Sequence, residues 1–152
     1  MKLISVKSTL LTKYNSVDPE VLLKDKRPAV LVLKLLYRGK NHDFAIPLRS
    51  NIHPAAPKDE YFALPNRKNT KKKHRHGLHY IKMFPVSKRF YERYRTDGNV
   101  ASQLCLEIIS KNEKRIVTEC QDYLNRYESD GRPLFATNID LLIEELDKIS
   151  AK

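Results

Sequence analysis

The sequence predicts an α+β fold: a small, mostly antiparallel, barrel-like sheet in the first two-thirds of the chain, with helices from the last third packed on it. Two observations carry this. In the first half, apolar residues come in short β-branched or aromatic runs broken by Pro, Gly and Asn, whereas from Val100 onward they recur at helical spacing. At 152 residues the chain fits one domain, residues 1–152, and can bury roughly 68–70% of its unfolded surface.

Lys2 to Val6 reads as an opening strand, followed by a polar connection through Ser8, Tyr14, Asn15 and Asp18-Pro19. Arg27-Pro28 opens the run from Ala29 to Tyr37, whose leucine-rich, β-branched composition suits a central strand with proline at its start. Arg38-Gly39-Lys40-Asn41 supplies the turn of a hairpin. The returning strand, about His42 to Leu48, contains Pro47, so it lies at an edge or bends there, and a bend takes Arg49 and Ser50 out of the sheet toward a cleft.

An irregular loop from Asn51 to Pro57 leads to a strand at Glu60 to Leu64 and another at His79 to Phe84, stopped by Pro85. Ser87 is expected to cap a short helix through Arg95, with Phe90, Tyr91 and Tyr94 on one face. Leu104, Ile108, Ile109, Ile116, Cys120, Tyr123, Leu124 and Tyr127 then mark one long amphipathic helix, or two with a break near Ser110-Lys111-Asn112. Gly131 and Pro133 end it, and Asn138 or Thr137 caps a last helix from Ile139 to Ile149.

Charge narrows the function. Twenty-nine Lys and Arg oppose 18 Asp and Glu, a formal +11 concentrated in the first hundred residues, which is an electrostatic footprint for polyanions. The longest apolar run, Ala29 to Leu33, falls far short of the ~18 residues of a membrane span, and no signal-peptide pattern opens the chain, so a cytoplasmic protein with no membrane partner is expected. Cys105 and Cys120 on one helix would lie about 22 Å apart, beyond the ~7 Å limit for a disulfide, and read as buried thiols.

The chemistry-bearing residues concentrate in two places. Phe44 to Ser50 is an apolar run ending in a guanidinium and a hydroxyl, and between Arg67 and Arg75 stand six cations in nine residues: Arg67, Lys68, Lys71, Lys72, Lys73 and Arg75. Point charges of this kind hold phosphates whatever the base sequence. Together these features point to a protein that acts on RNA. RNA cleaves when its own 2′-OH attacks the adjacent phosphate, so a protein need supply only a base, groups for the developing phosphorane charge and an acid for the leaving 5′-oxygen.

Arg49 and Arg27 suit charge stabilisation, because a guanidinium grips two phosphate oxygens and stays protonated. Ser50 would orient a phosphate oxygen or the 2′-OH. His53 and His79 are candidate proton carriers, with Lys82 available as a cation from the same strand as His79. His76 joins the basic loop as a phosphate contact. A metal site at His74, His76 and His79 is not expected, since no carboxylate or cysteine stands in ligand spacing and the neighbouring lysines repel a cation. No cofactor is called for.

The order of elements also carries a resemblance. Proline before a central apolar strand, then Pro47-Leu48-Arg49-Ser50, then Gly77-Leu78-His79-Tyr80-Ile81-Lys82-Met83-Phe84-Pro85 and a long C-terminal helix, resemble the toxins of type III toxin-antitoxin systems, the ToxN/AbiQ/TenpN group, over nearly the whole chain. In that group the first motif reads Pro-Leu-Thr/Ser-Ser, so Arg49 stands at one hydroxyl position and Ser50 at the next. Lysines that the group places after the serine and after the N-terminal proline fall here near Ile52 to His53 and at Ala29.

The resemblance implies an SH3-like barrel of the MazF/Kid kind and a metal-independent endoribonuclease toxin, of the type used in phage defence by abortive infection. It further implies inhibition by a small structured RNA antitoxin made of repeats, in a higher-order protein–RNA assembly, with cellular or phage RNA as substrate. Arg27-Pro28-Ala29-Val30 is also similar to the Arg-Pro-Ala-Val that opens a strand in MazF-like toxins, where the arginine lies near the scissile phosphate.

Overall fold

A computed structural model describes residues 2–21, 29–93 and 100–151. Strand β1 (Lys2–Val6) leads into helix α1 (Ser8–Val17), and strands β2 (Ala29–Tyr37) and β3 (Lys40–Ile52) form the central hairpin. Short strands β4 (Tyr61–Leu64), β5 (Arg75–His79), β6 (Phe84–Pro85) and β7 (Tyr91–Arg93) follow. Helices α2 (Val100–Lys111), α3 (Glu113–Asp130) and α4 (Ile139–Ser150) complete the chain.

The strands form a seven-stranded antiparallel sheet in the order β4-β5-β3-β2-β1-β7, with β6 paired to β3 off this path. The mixed helix and strand content and the antiparallel pairing match the sequence reading. The sheet is open, however: β4 and β7 end the path without pairing to each other among the described residues, so it is not a closed barrel. The hairpin tip is the turn the sequence specified, with Arg38 (φ 48°) and Gly39 (φ 79°) both left-handed, as a two-residue turn between twisted strands requires.

Strand alternation sets the two cores. Leu31, Leu33, Leu35 and Tyr37 of β2 join Phe44 and Ile46 under α2 and α3, packing on Ile109, Ile116, Cys120 and Leu124. Val30 faces the other way, into a cluster of Ile4, Leu10, Tyr14, Phe84 and Leu142 between α1, α4 and the sheet. The two helices α2 and α3 break at Asn112, whose side-chain Nδ2 donates to the Ile108 carbonyl. Cys105 and Cys120 therefore lie on different helices, both buried and unpaired. The Asn138 carboxamide caps α4 by accepting from the Leu141 N–H at 3.2 Å.

Four local expectations need correction. The segment read as a polar connection is helix α1, because Leu10, Leu11 and Tyr14 bury one face and the Tyr14 hydroxyl donates to the Pro85 carbonyl at 2.7 Å. Strand β3 does not leave the sheet at Pro47: its pairing with β2 ends at Val30–Pro47, and its continuation pairs with β5 from Leu48–Leu78 to Ile52–Arg75. The strand expected from His79 to Phe84 begins earlier, at Arg75, and is interrupted by a 3-10 turn at Tyr80–Lys82, closed by the Met83 N–H on the Tyr80 carbonyl. After Ser87 the chain forms one 3-10 turn, Lys88–Phe90, and then β7. Tyr94 and Arg95 lie outside the described residues.

Among the described residues no helix is long and apolar enough to cross a membrane.

Candidate functional site

The switch of β3 from β2 to β5 builds the site. Arg49 stands opposite Gly77, and the register shifts between Arg49 and Ile52, so Ser50 and Asn51 occupy an irregularity of the β-bulge kind. Gly77 is required there. A Cβ on it would come within 2.1 Å of the Phe62 carbonyl oxygen on β4. Strands β4 and β5 thus pack tightly around a residue with no side chain, and Arg49 opposite it and His79 two residues further along β5 are set by this register.

These residues line a cavity of about 700 Å³. Its walls come from four places: Arg49 and Asn51 on β3; His53, Ala55, Ala56 and Pro57 in the following loop, with Glu60; His79, Ile81 and Lys82; and Leu134 and Phe135 between α3 and α4. Arg49, His53, His79 and Lys82, scattered over 34 positions of sequence, are gathered at one opening. Ser50, half-buried beside Arg49, does not line it.

The electrostatics are dominated by buried nitrogens and positive charge. Among the described residues, Arg49 Nε and Nη1 are buried without a hydrogen-bond partner, as are both ring nitrogens of His79. Burial weakens the hold of the Arg49 guanidinium on its proton. The His79 imidazole is pushed down to about 3, first by burial and then by the positive charges of Arg49 and Lys82. It is therefore neutral near pH 7, unlike the freely titrating histidine expected from the sequence. Lys82 is only 9% exposed and is also lowered by burial, with Glu20 opposing that shift. Its ammonium donates to the Phe135 carbonyl at 2.8 Å and to Glu20 Oε1 at 3.3 Å. The one carboxyl on the lining, Glu60, is raised by burial and by neighbouring Asp59.

His53 is exposed, its Nδ1 accepting from the Ala55 N–H at 3.0 Å, which leaves Nε2 to carry the proton of the neutral ring. Its ring meets that of His74 edge-on at 5.8 Å. His74 belongs to the basic loop, which is tied to the site by side chains the sequence reading passed over. Asn51 Oδ1 accepts from the Lys71 N–H at 2.7 Å, and Asn66 bridges the loop's base by accepting from the His76 N–H and donating to the His74 carbonyl.

The cations Arg67, Lys68, Lys71, Lys72, Lys73 and Arg75 are exposed, and among the described residues none forms an ion pair. His76 differs from the expectation: it is 2% exposed, turned into the protein with Nδ1 3.0 Å from the Pro65 carbonyl, and anchors the loop instead of lying on its surface. Arg27 lies outside the described residues. Among the described residues no three His, Cys, Asp or Glu side chains gather as a metal site.

Glu60, Asn51, Leu134 and Phe135 are the lining residues that the sequence reading missed. For Phe135 a signal existed, since two large apolar residues directly after Gly131-Arg132-Pro133 sit in a turn and have no helix face to bury them. Asn51 and Glu60 carry no motif.

No protein-family model matches the chain, and no curated protein does. Solved structures do. AbiQ, a lactococcal anti-phage endoribonuclease of the type III toxin-antitoxin system, superposes with a TM-score of 0.78 at 17% identity over 99% of this chain and 98% of its own. A protein of a bacterial type III system in which a non-coding RNA pseudoknot selectively inhibits the toxin gives 0.79 at 13% identity over 99% and 98%. One from a bacterial antiviral system regulated by a processed non-coding RNA gives 0.71 at 18% identity over 95% and 96%. Over nearly its whole length, this chain has the fold of type III toxins.

Proposed function

We propose that the protein is an endoribonuclease toxin of a type III toxin-antitoxin system. It cuts single-stranded RNA by attack of the 2′-OH on the adjacent phosphate, leaving a 2′,3′-cyclic phosphate and a 5′-hydroxyl, with no metal in the reaction. The observation that carries this reading is the pair of buried Arg49 nitrogens, Nε and Nη1, that have no partner among the described residues and stand with His79 on a cavity next to an exposed basic loop. A phosphodiester satisfies such donors, and they gain strength as charge builds on the phosphorane.

Arg49 and Lys82 hold the non-bridging oxygens. His79, neutral without ligand, gains affinity for a proton once a phosphate offsets the two cations beside it, and becomes a donor to the same anion. Glu60, its carboxyl lifted toward neutrality, and exposed His53 stand on the lining as proton carriers for the 2′-OH and the leaving oxygen. Ser50, next to Arg49 in the bulge, orients the hydroxyl or phosphate. Arg67, Lys68, Lys71 to Lys73 and Arg75 steer the strand in. The fold likeness to toxins inhibited or regulated by non-coding RNA supports a repeat-derived structured RNA as the antitoxin, bound over this surface in a protein–RNA assembly in the cytoplasm.

A second reading is a basic RNA-binding protein without catalysis, favoured by the depressed His79. One experiment separates the two. The chain, freed of bound RNA and held in EDTA, is incubated with mixed-sequence single-stranded RNA, and fragment ends are mapped. Discrete cuts with cyclic-phosphate ends, lost in Arg49→Ala and in Ser50→Ala, are the expected result. Intact RNA that shifts at low salt and is released at high salt would leave only the binding protein.

A further inference from the structure

We propose that Phe135 is a stacking platform for an unpaired base next to the phosphate held by Arg49 and Lys82, and so helps select the nucleotide presented for cutting. The inference rests on the reading of the cavity as a site for single-stranded RNA. Of the chain's five phenylalanines, Phe44, Phe62, Phe84 and Phe90 are at most 8% exposed, whereas Phe135 is 64% exposed and neighbouring Leu134 78%. A ring of that size gains by burial, so its position in water at a cavity mouth calls for an occupant.

The platform is held in place. Phe135 has φ 65°, a left-handed conformation uncommon for a bulky residue, in a turn closed by the Ala136 N–H on the Pro133 carbonyl. Just beyond, fully buried Thr137 fixes the connection to the Tyr80–Lys82 turn: its N–H donates to the Ile81 carbonyl at 2.9 Å and its hydroxyl to the Met83 carbonyl at 2.5 Å. The Phe135 carbonyl in turn accepts from the Lys82 ammonium. One residue thus positions a phosphate-seeking cation with its backbone and offers an apolar ring to the same cavity. The occupant must combine an anion with a flat apolar face. A nucleotide of a single strand has both, and base stacking on an aromatic side chain tolerates an irregular backbone path.

The chain has no tryptophan, so Phe135→Trp makes residue 135 its sole indole reporter. The variant is titrated with a short single-stranded RNA methylated at every 2′-oxygen, which cannot be cut, while binding is followed separately by the anisotropy of a dye on the RNA. Quenching of the indole in step with binding is expected, together with its loss when an abasic nucleotide is walked to one position of the oligonucleotide. Phe135→Ala should weaken binding about tenfold and Phe135→Tyr should keep it, with Phe135→Leu close to Ala because it restores area but no ring.

Binding by anisotropy with unchanged indole emission, or equal affinity in Phe135→Ala with an unaltered melting curve, would overturn the stacking role while leaving the cavity's RNA reading intact. Emission that changes with protein concentration instead would make the patch a self-association surface. Failure of the wild-type chain to bind RNA at low salt would remove both readings.

Discussion

Two arginines at either end of strand β3 meet opposite fates. Arg38, at the hairpin tip, is exposed yet engaged: Nε and Nη2 donate to the two Asp140 oxygens at 2.8 and 3.0 Å, Nε also reaches the Tyr37 hydroxyl, and the guanidinium lies 5.2 Å from the centre of the Tyr37 ring. Its backbone N–H donates to Glu128. Arg49 is half-buried, yet its Nε and Nη1 have no partner among the described residues. Desolvation without pairing is the costlier state, so a protein keeps it where a ligand supplies the missing acceptor. The first arginine ties α4 to the hairpin, and the second is the one the proposed function assigns to the phosphate.

Removing each side chain should split the two roles completely. Arg49→Ala is expected to lower RNA cleavage by about 100-fold or more, the scale of a lost transition-state donor, while leaving thermal stability unchanged or raising it, since an unpaired buried charge disappears. Arg49→Lys should not rescue, because an ammonium cannot present the guanidinium's planar fork. Arg38→Ala should do the converse, lowering the melting temperature slightly with cleavage intact. Equal loss of activity in both variants, measured at matched folded fraction, would erase the distinction.

The next largest effect is expected at Gly77, which lets β4 pack closely on β5 opposite Arg49. Gly77→Ala forces a Cβ against the Phe62 carbonyl and should destabilise the protein by about 3 kcal/mol in chemical denaturation. Gly39→Ala, where nothing lies within 4 Å and only the left-handed turn objects, should cost about 1 kcal/mol. Comparable costs would show that β4 and β5 can part without harm.

How much of this was legible follows from what sets each feature. Period and turn chemistry are local, so β2, the Arg38-Gly39 turn, α4 and its Asn138 cap are read directly from the residues. Helix α1 was missed because its face of Leu10, Leu11 and Tyr14 is short and set among polar residues. The basic loop was visible as a charge run, but its attachment through Asn51 and Asn66 was not, since an asparagine has the same appearance in any turn. Arg49, His53, His79 and Lys82 were nameable by chemistry. Their convergence depends on β3 changing partners after Pro47, and the place of Ser50 beside the lining but not on it depends on a bulge. Both are decided by the register of β5, which no residue of β3 encodes alone.

A smaller effect is expected from pH. His79 is lowered to about 3, so between that value and pH 6.5 the unfolded chain binds more protons than the folded one. Stability therefore rises with pH across this window and is lost as pH falls through it. His79→Gln, which cannot titrate, should flatten that acid limb. RNA affinity should run the other way, because a bound phosphate raises the His79 pKa and its binding takes up a proton. With uncleavable RNA, wild-type affinity should grow on going from pH 8 to 6, by at most about tenfold per pH unit, and stay flat in His79→Gln. A wild-type affinity that ignores pH would place the phosphate away from His79.

The subtlest contrast sets the loop cations against the hairpin cation. Lys71, Lys72 and Lys73 are exposed and form no ion pair among the described residues, so each can neutralise a phosphate and release its counterion, whereas Arg38 is engaged by Asp140. Replacing the three lysines with glutamine should reduce the slope of log affinity against log salt by about 2, three contacts at roughly 0.7 each on a single strand, and Arg38→Gln should leave it unchanged. Asn51→Ala removes the acceptor that holds the Lys71 N–H and leaves every charge in place. It should weaken binding with the slope preserved, because loosening the loop costs order and not counterions. A slope that falls in Asn51→Ala as far as in the triple variant would mean that the loop meets phosphates only when held against the Arg49 bulge, and would make steering and docking a single event.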